Sequence, residues 1–165
     1  MKRMLFFSTL VFMTLAACSQ NPKPSPRVTA EGKDMKVAYG QPSKKGRVIF
    51  GGLEPYGKLW RTGANEATEI TFAKDVVFGG QAVKAGTYTL FTVPGEKEWE
   101  VILNSQLGQN GAWQYDKYKD KDFVKVKVPA KKLDSVVEKL TLRFANPGLV
   151  IEWDETQVAV PITAK

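Results

Sequence analysis

Histidine is missing from all 165 residues, and cysteine occurs once, at position 18. The first absence removes imidazole general bases, His-based triads and the common zinc, copper and haem ligand sets. The second leaves the chain beyond Cys18 without disulfides, thiol nucleophiles or Cys-ligated metal. No Ser-x-x-Lys occurs, so the familiar histidine-free serine nucleophile is absent too. Walker and Rossmann glycine patterns are missing, together with the alternation of strand and helix that gives them meaning. Acid and base work is left to carboxylate, lysine or tyrosine, and no cofactor is expected. Asp116, Asp120 and Asp122 lie close together but lack the spacing and turn glycine of a calcium loop, and lysines 117, 119 and 121 oppose a cation, so no metal is expected either.

Long apolar runs are equally scarce. The one from Met4 to Ala17 has about 14 residues, where a spanning helix needs about 20. It follows Lys2 and Arg3 and ends in Leu15-Ala16-Ala17-Cys18, the order of a secretory signal with a lipobox. The small alanines suit a signal peptidase, and the thiol of Cys18 is the atom on which a bacterial lipoprotein receives its diacylglycerol. The expectation is therefore a signal peptide over 1–17 and a lipid anchor at Cys18. The protein would be held on a bacterial membrane in the cell envelope, facing the periplasm.

Residues 19–36 carry prolines at 22, 24 and 26 and little that is apolar, which predicts an extended tether over 18–36 and a folded domain over 37–165. Losing residues 1–17 takes away Lys2 and Arg3 and leaves 22 basic against 17 acidic groups, a net charge of about +5. The lysines mostly interleave with acids or alternate along strand-like segments, so nucleic acid is not an expected partner. Anionic lipid or an envelope glycan suits a tethered basic protein better.

Within the domain the apolar pattern has period two and is cut repeatedly by glycine and proline. Residues 47–50, 69–72, 76–78, 87–93, 98–103, 124–128, 140–144, 149–153 and 158–162 read as strands, about ten in all with the segment that opens the domain at Val37, and no helix is convincing. Alternation with lysine, glutamate and threonine means that each sheet buries one face and wets the other. This predicts an all-β fold, a single antiparallel β-sandwich, with immunoglobulin-like and jelly-roll strand orders equally compatible.

The densest polar constellation spans residues 55–68, from Pro55-Tyr56-Gly57-Lys58 through Trp60-Arg61-Thr62-Gly63-Ala64-Asn65-Glu66-Ala67-Thr68. Aromatic rings beside a guanidinium, an amide and a carboxylate suit a sugar ring or an anionic group. The same residues also suit a structural clasp, with Trp60 as a plug, Asn65 bonding its own turn and Arg61 paired to Glu66. Residues 106–118, rich in Gly, Asn, Gln and Tyr, read as an exposed loop in which Trp113 and Tyr115 could form a second aromatic wall. The candidate ligand-binding set is Tyr56, Trp60, Arg61, Asn65, Glu66 and Trp113.

Residues 42–53, the Trp60 to Thr68 run, and Ala85-Gly86-Thr87-Tyr88 with Pro94-Gly95 together resemble a bacterial family known only as a domain of unknown function. Its members are secreted or lipid-anchored envelope proteins. The resemblance covers nearly all of residues 37–163. It implies an all-β domain and marks Trp60, Arg61, Gly63, Asn65 and Glu66 as motif positions, without assigning catalysis. The favoured expectation is a non-catalytic binding or interaction module for an envelope glycan or protein. The alternatives are a carboxylate-dependent hydrolase, such as a glycoside hydrolase using Glu66 with an acid like Asp116, and a purely architectural role.

Overall fold

The computed structural model describes residues 24–165. Residues 1–17 and Cys18 lie outside the described residues, and so does the start of the expected tether. The rest is all-β: β1 (Arg27–Gly32), β2 (Met35–Gly40), β3 (Thr68–Phe72), β4 (Val76–Phe78), β5 (Gln81–Val83), β6 (Gly86–Val93), β7 (Glu98–Asn104), β8 (Asp122–Ala145) and β9 (Gly148–Ala164). All pairings are antiparallel, in the order β1-β2-β3-β6-β7-β8-β9-β4-β5. The strand order left open by the sequence is thus a meander from which one hairpin, β4–β5, is transposed to the far edge.

Two layers arise because β8 serves both. Residues 122–129 pair with β7, and residues 130–145 pair with β9, with register shifts between Lys132 and Thr141. The second layer folds back over the first. Tyr39 Oη on β2 accepts a hydrogen bond from the backbone of Leu142 (3.1 Å), and Gln41 Nε2 donates to the carbonyl of Leu140 (3.1 Å). Between the layers lies one apolar cluster, including Val37, Ile70, Leu90, Val101 and Leu103 from one side and Leu140, Leu149, Ile151 and Val160 from the other. Phe50, Trp60, Trp99 and Trp153 close one end of it. Trp60 stacks on Trp153 at 5.8 Å, while Phe50 meets Trp99 edge-on at 4.7 Å.

The sheet begins ten residues earlier than the composition suggests. The expected tether over 18–36 is corrected at its C-terminal end, since Arg27–Gly32 pairs along its whole length with Met35–Gly40. Val28 and Ala30 pack against the core edge, too few apolar contacts to show in a lysine- and proline-rich stretch. Residues 47–50, expected as a strand, form a turn-rich loop. Their carbonyls are taken by their own neighbours: Leu53 N donates to Val48 O, and Glu54 N to Ile49 O. Ile49 and Phe50 plug the core from this loop, which reproduces strand-like hydrophobicity without a ladder.

Residues 105–121 do not hang free as a loop. They fold back over the outer face of the first layer and contain one helical turn, α1 (Tyr115–Tyr118), flanked by 3₁₀ turns at Ala112–Gln114 and Lys119–Lys121. Along β6 the side chains alternate, so Leu90 enters the central core while Phe91 faces outward beside Ile102 of β7. Both are nevertheless buried. Tyr115 meets the Phe91 ring edge-on at 5.2 Å and donates its hydroxyl proton to Asp122. Asn104 bonds Tyr118 O (2.7 Å) and Asp122 Oδ1 (2.8 Å), pinning both ends of the cover.

Candidate functional site

Most of the motif run at 60–68 is consumed by folding. Trp60 and Thr92 exchange both backbone hydrogen bonds, and the indole Nε1 of Trp60 donates to Gly63 O (3.2 Å). Trp60 is only 3% exposed, so its ring offers no face to a ligand. Thr62 shares a buried hydroxyl bond with Thr92 (3.0 Å), and Thr68 Oγ1 donates to Thr62 O (2.9 Å). Gly63 packs against the backbone of Gly40, whose carbonyl oxygen would lie 2.9 Å from any added methyl. Ala67 N donates to Gln109 O (3.1 Å), stitching the run to the covering segment.

Two further members hold the point where the chain enters the sheet. Asn65, in the left-handed region (φ 63°), donates from Nδ2 to Ser25 O (3.0 Å). Glu66 pairs with Arg27 (3.2 Å), which also donates to Ala67 O. The expected Arg61–Glu66 pair is therefore not formed, and these carboxylate and amide groups face residues 25–27. Tyr56, partly exposed, lays its ring over the Cα of Gly51.

Arg61 is different. Its Nε is buried and has no hydrogen-bond partner among the described residues, and none of the ion pairs among them includes it. Buried polar groups are nearly always paired, so an orphaned guanidinium nitrogen asks for an explanation. Its neighbour is Gly111, at φ 76°. A methyl added there would lie 2.9 Å from Arg61 Nη1 and 3.1 Å from Trp113 Cδ1. The two loops singled out from the sequence therefore meet at this glycine, with a guanidinium on one side and an indole on the other. Trp113 is 75% exposed, an unusual position for so large an apolar surface. Two residues from Gly111, Gln109 is buried with its amide nitrogen bonded to Asn104 Oδ1 and Gln106 O, but its Oε1 has no partner among the described residues. Tyr115 belongs instead to the packing on Phe91, and burial together with Asp122 pushes its phenol pKa up.

The residue that sequence reasoning missed is Glu54. It is half-buried, and desolvation pushes its carboxyl up to about 7 against the opposing pull of Arg61 and Arg47. No pattern in Gly-Gly-Leu-Glu-Pro announces this; the burial comes from the turn that folds 51–54 back onto 48–50. Among the described residues no three His, Cys, Asp or Glu side chains gather as a metal would require. No helix among them is long and apolar enough to cross a membrane.

Residues 21–162 match the family described as "Protein of unknown function (DUF2911)". The chain belongs to this family. Its match begins before β1 and runs to β9, so the DUF2911 unit includes the hairpin β1–β2 as well as the sandwich. No curated protein and no solved structure matches the chain.

Proposed function

We propose that this protein is a lipid-anchored component of the bacterial envelope whose domain binds an envelope glycan or protein through Arg61 and Trp113, without catalysing a reaction on it. The observation that supports the reading most is the contrast within one motif. Trp60, Thr62, Gly63, Asn65, Glu66, Ala67 and Thr68 all have partners inside the fold, whereas the buried Nε of Arg61 has none among the described residues and its guanidinium lies beside an exposed indole. A guanidinium fork binds carboxylates in two parallel bonds, and an indole face stacks on the apolar side of a sugar ring. A carboxylate-bearing saccharide fits both.

Glu66 is ion-paired at the surface, so the hydrolase built on it draws nothing from its surroundings. If the domain has an acid suited to proton transfer at neutral pH, it is Glu54.

Trp60, Trp99 and Trp153 are buried, so collisional quenching of tryptophan emission reports chiefly on Trp113. Soluble peptidoglycan fragments are expected to protect it from acrylamide. Arg61→Lys and Trp113→Ala should each weaken capture about tenfold or more while leaving the denaturation midpoint in place. Undiminished capture by both variants would overturn the assignment.

A further inference from the structure

The end of the sandwich where the chain enters carries a second surface, separate from Arg61 and Trp113. Pro24, Ser25 and Pro26 line an open cleft of about 500 Å³ together with Lys45 and Arg47 of the loop before β3. On that loop Val48 is 70% exposed, and Leu53 and Tyr56 are exposed as well. The three are contiguous. Leu53 N donates to Val48 O (3.0 Å), Gly52 packs against the Val48 side chain, and the Tyr56 ring covers Gly51. The loop is also stiff: Lys44 Nζ bonds Arg47 O (2.7 Å), Arg47 Nε bonds Lys44 O (2.9 Å), and Gly51 N bonds Glu54 O (3.0 Å). Its apolar tip is displayed by the fold and needs no ordering on contact.

We propose that the loop over residues 44–58 is the surface by which the domain lies against an anionic membrane, an inference that rests on the lipid anchor read at Cys18. Two observations select this occupant. The first is reach. Cys18 precedes Pro24 by six residues, and six residues span at most about 20 Å, so an anchored chain holds this end of the sandwich, and not the opposite one, near the bilayer. The second is charge. Residues 44–58 contain Lys44, Lys45, Arg47 and Lys58 against one acid, Glu54. Lys44 is committed to Asp154 (3.0 Å), but Lys45 and Lys58 are exposed and enter none of the ion pairs among the described residues. Apolar residues at the tip, an aromatic ring behind them and free lysines around them form the composition that settles at the boundary between headgroups and acyl chains.

The test uses the full-length, cell-processed protein in vesicles of phosphatidylcholine, alone or mixed with phosphatidylglycerol. An environment-sensitive dye is placed on Val48→Cys and, for comparison, on Lys84→Cys at the far end. The unsubstituted chain carried through the same labelling reports any free thiol at Cys18. The expected result is a blue shift at position 48 in the anionic vesicles with none at position 84. Lys45→Gln and Lys58→Gln should each lower the docked fraction relative to the undocked about fivefold. Flotation with the vesicles but no difference between positions 48 and 84 overturns the docking surface and leaves the anchor standing. Failure to float, with dye on the unsubstituted chain, overturns both. A blue shift at 48 that grows with protein concentration in the absence of vesicles overturns the proposal in favour of a second copy of the chain.

Discussion

The carboxyl of Glu54 makes a prediction that the absence of histidine renders unusually clean. Its pKa stands near 7 in the folded protein against an ordinary 4.5. A carboxyl whose folded pKa is raised binds its proton more tightly in the native state, so stability is highest at low pH. It declines as the pH climbs from about 4.5, where the unfolded chain lets the proton go, to about 7, where the folded protein does. At about 1.4 kcal/mol per pH decade the interval sets a ceiling of roughly 3 kcal/mol. Glu54 is only half-buried, and solvent screening reduces this to roughly 1–2 kcal/mol. Acid-linked effects of the opposite sign, from Asp34, Asp75 and Glu152, whose pKa values are lowered by Lys74, Lys84 and Arg143 respectively, set in as the pH falls through about 4.5 and below. With no histidine in the chain, no other side chain with an ordinary pKa titrates between pH 5 and 8. Urea unfolding midpoints measured across that window should therefore fall with rising pH in the wild type and stay level in Glu54→Gln. An equal slope in the two proteins would falsify the assignment of this titration to Glu54.

The clasp and the site should separate under substitution. Asn65→Ala removes the amide that lets a residue with a β-carbon tolerate the left-handed region and cuts the tie to Ser25, a loss of about 1–2 kcal/mol, with Asn65→Gly milder. Arg61→Met removes an unpaired buried donor and should be neutral or slightly stabilising; chemical denaturation of the three variants side by side reads the difference, and a large loss from Arg61→Met would place that side chain in the clasp. Phe91→Ala empties the space beneath the covering segment, at about 3–5 kcal/mol. Limited proteolysis should then cut first within residues 105–121, and cleavage elsewhere would show that Phe91 does not secure the cover.

Much of the architecture was legible because strands with one wet face write a two-residue period into the sequence, as residues 69–72 and 124–128 do. Where several chain segments share one strand, or a loop imitates one, that period misleads. Residues 124–128 and 140–144 are two ends of β8, and the mixed stretch between them is the bend that changes partners. Residues 47–50 have strand composition because a loop can plug a core as well as a strand can. Within the candidate site, composition singled out the two loops that meet at Gly111, but it could not apportion the motif. Whether Glu66 meets Arg61 or Arg27 depends on a hairpin that the proline- and lysine-rich opening conceals. Glu54 was invisible, since its burial is a property of how a turn folds back and not of its neighbours in sequence.

The transposed hairpin has a consequence for the order in which this molecule is assembled. β4 takes as its neighbour the C-terminal end of β9, with Val76 opposite Ala164 and Phe78 opposite Ile162. Val76, Phe78 and Val83 are core residues, yet the ladder that secures β4 is made with a segment more than eighty residues further along the chain. Contacts between such distant segments form late, because the intervening loop must close before they return any stabilisation. The meander up to β7 can be laid down locally, but the second layer stays open along its β4–β5 edge until Ile162 is available. Until β9 is in place, β4 has β5 on one side and an open ladder edge on the other.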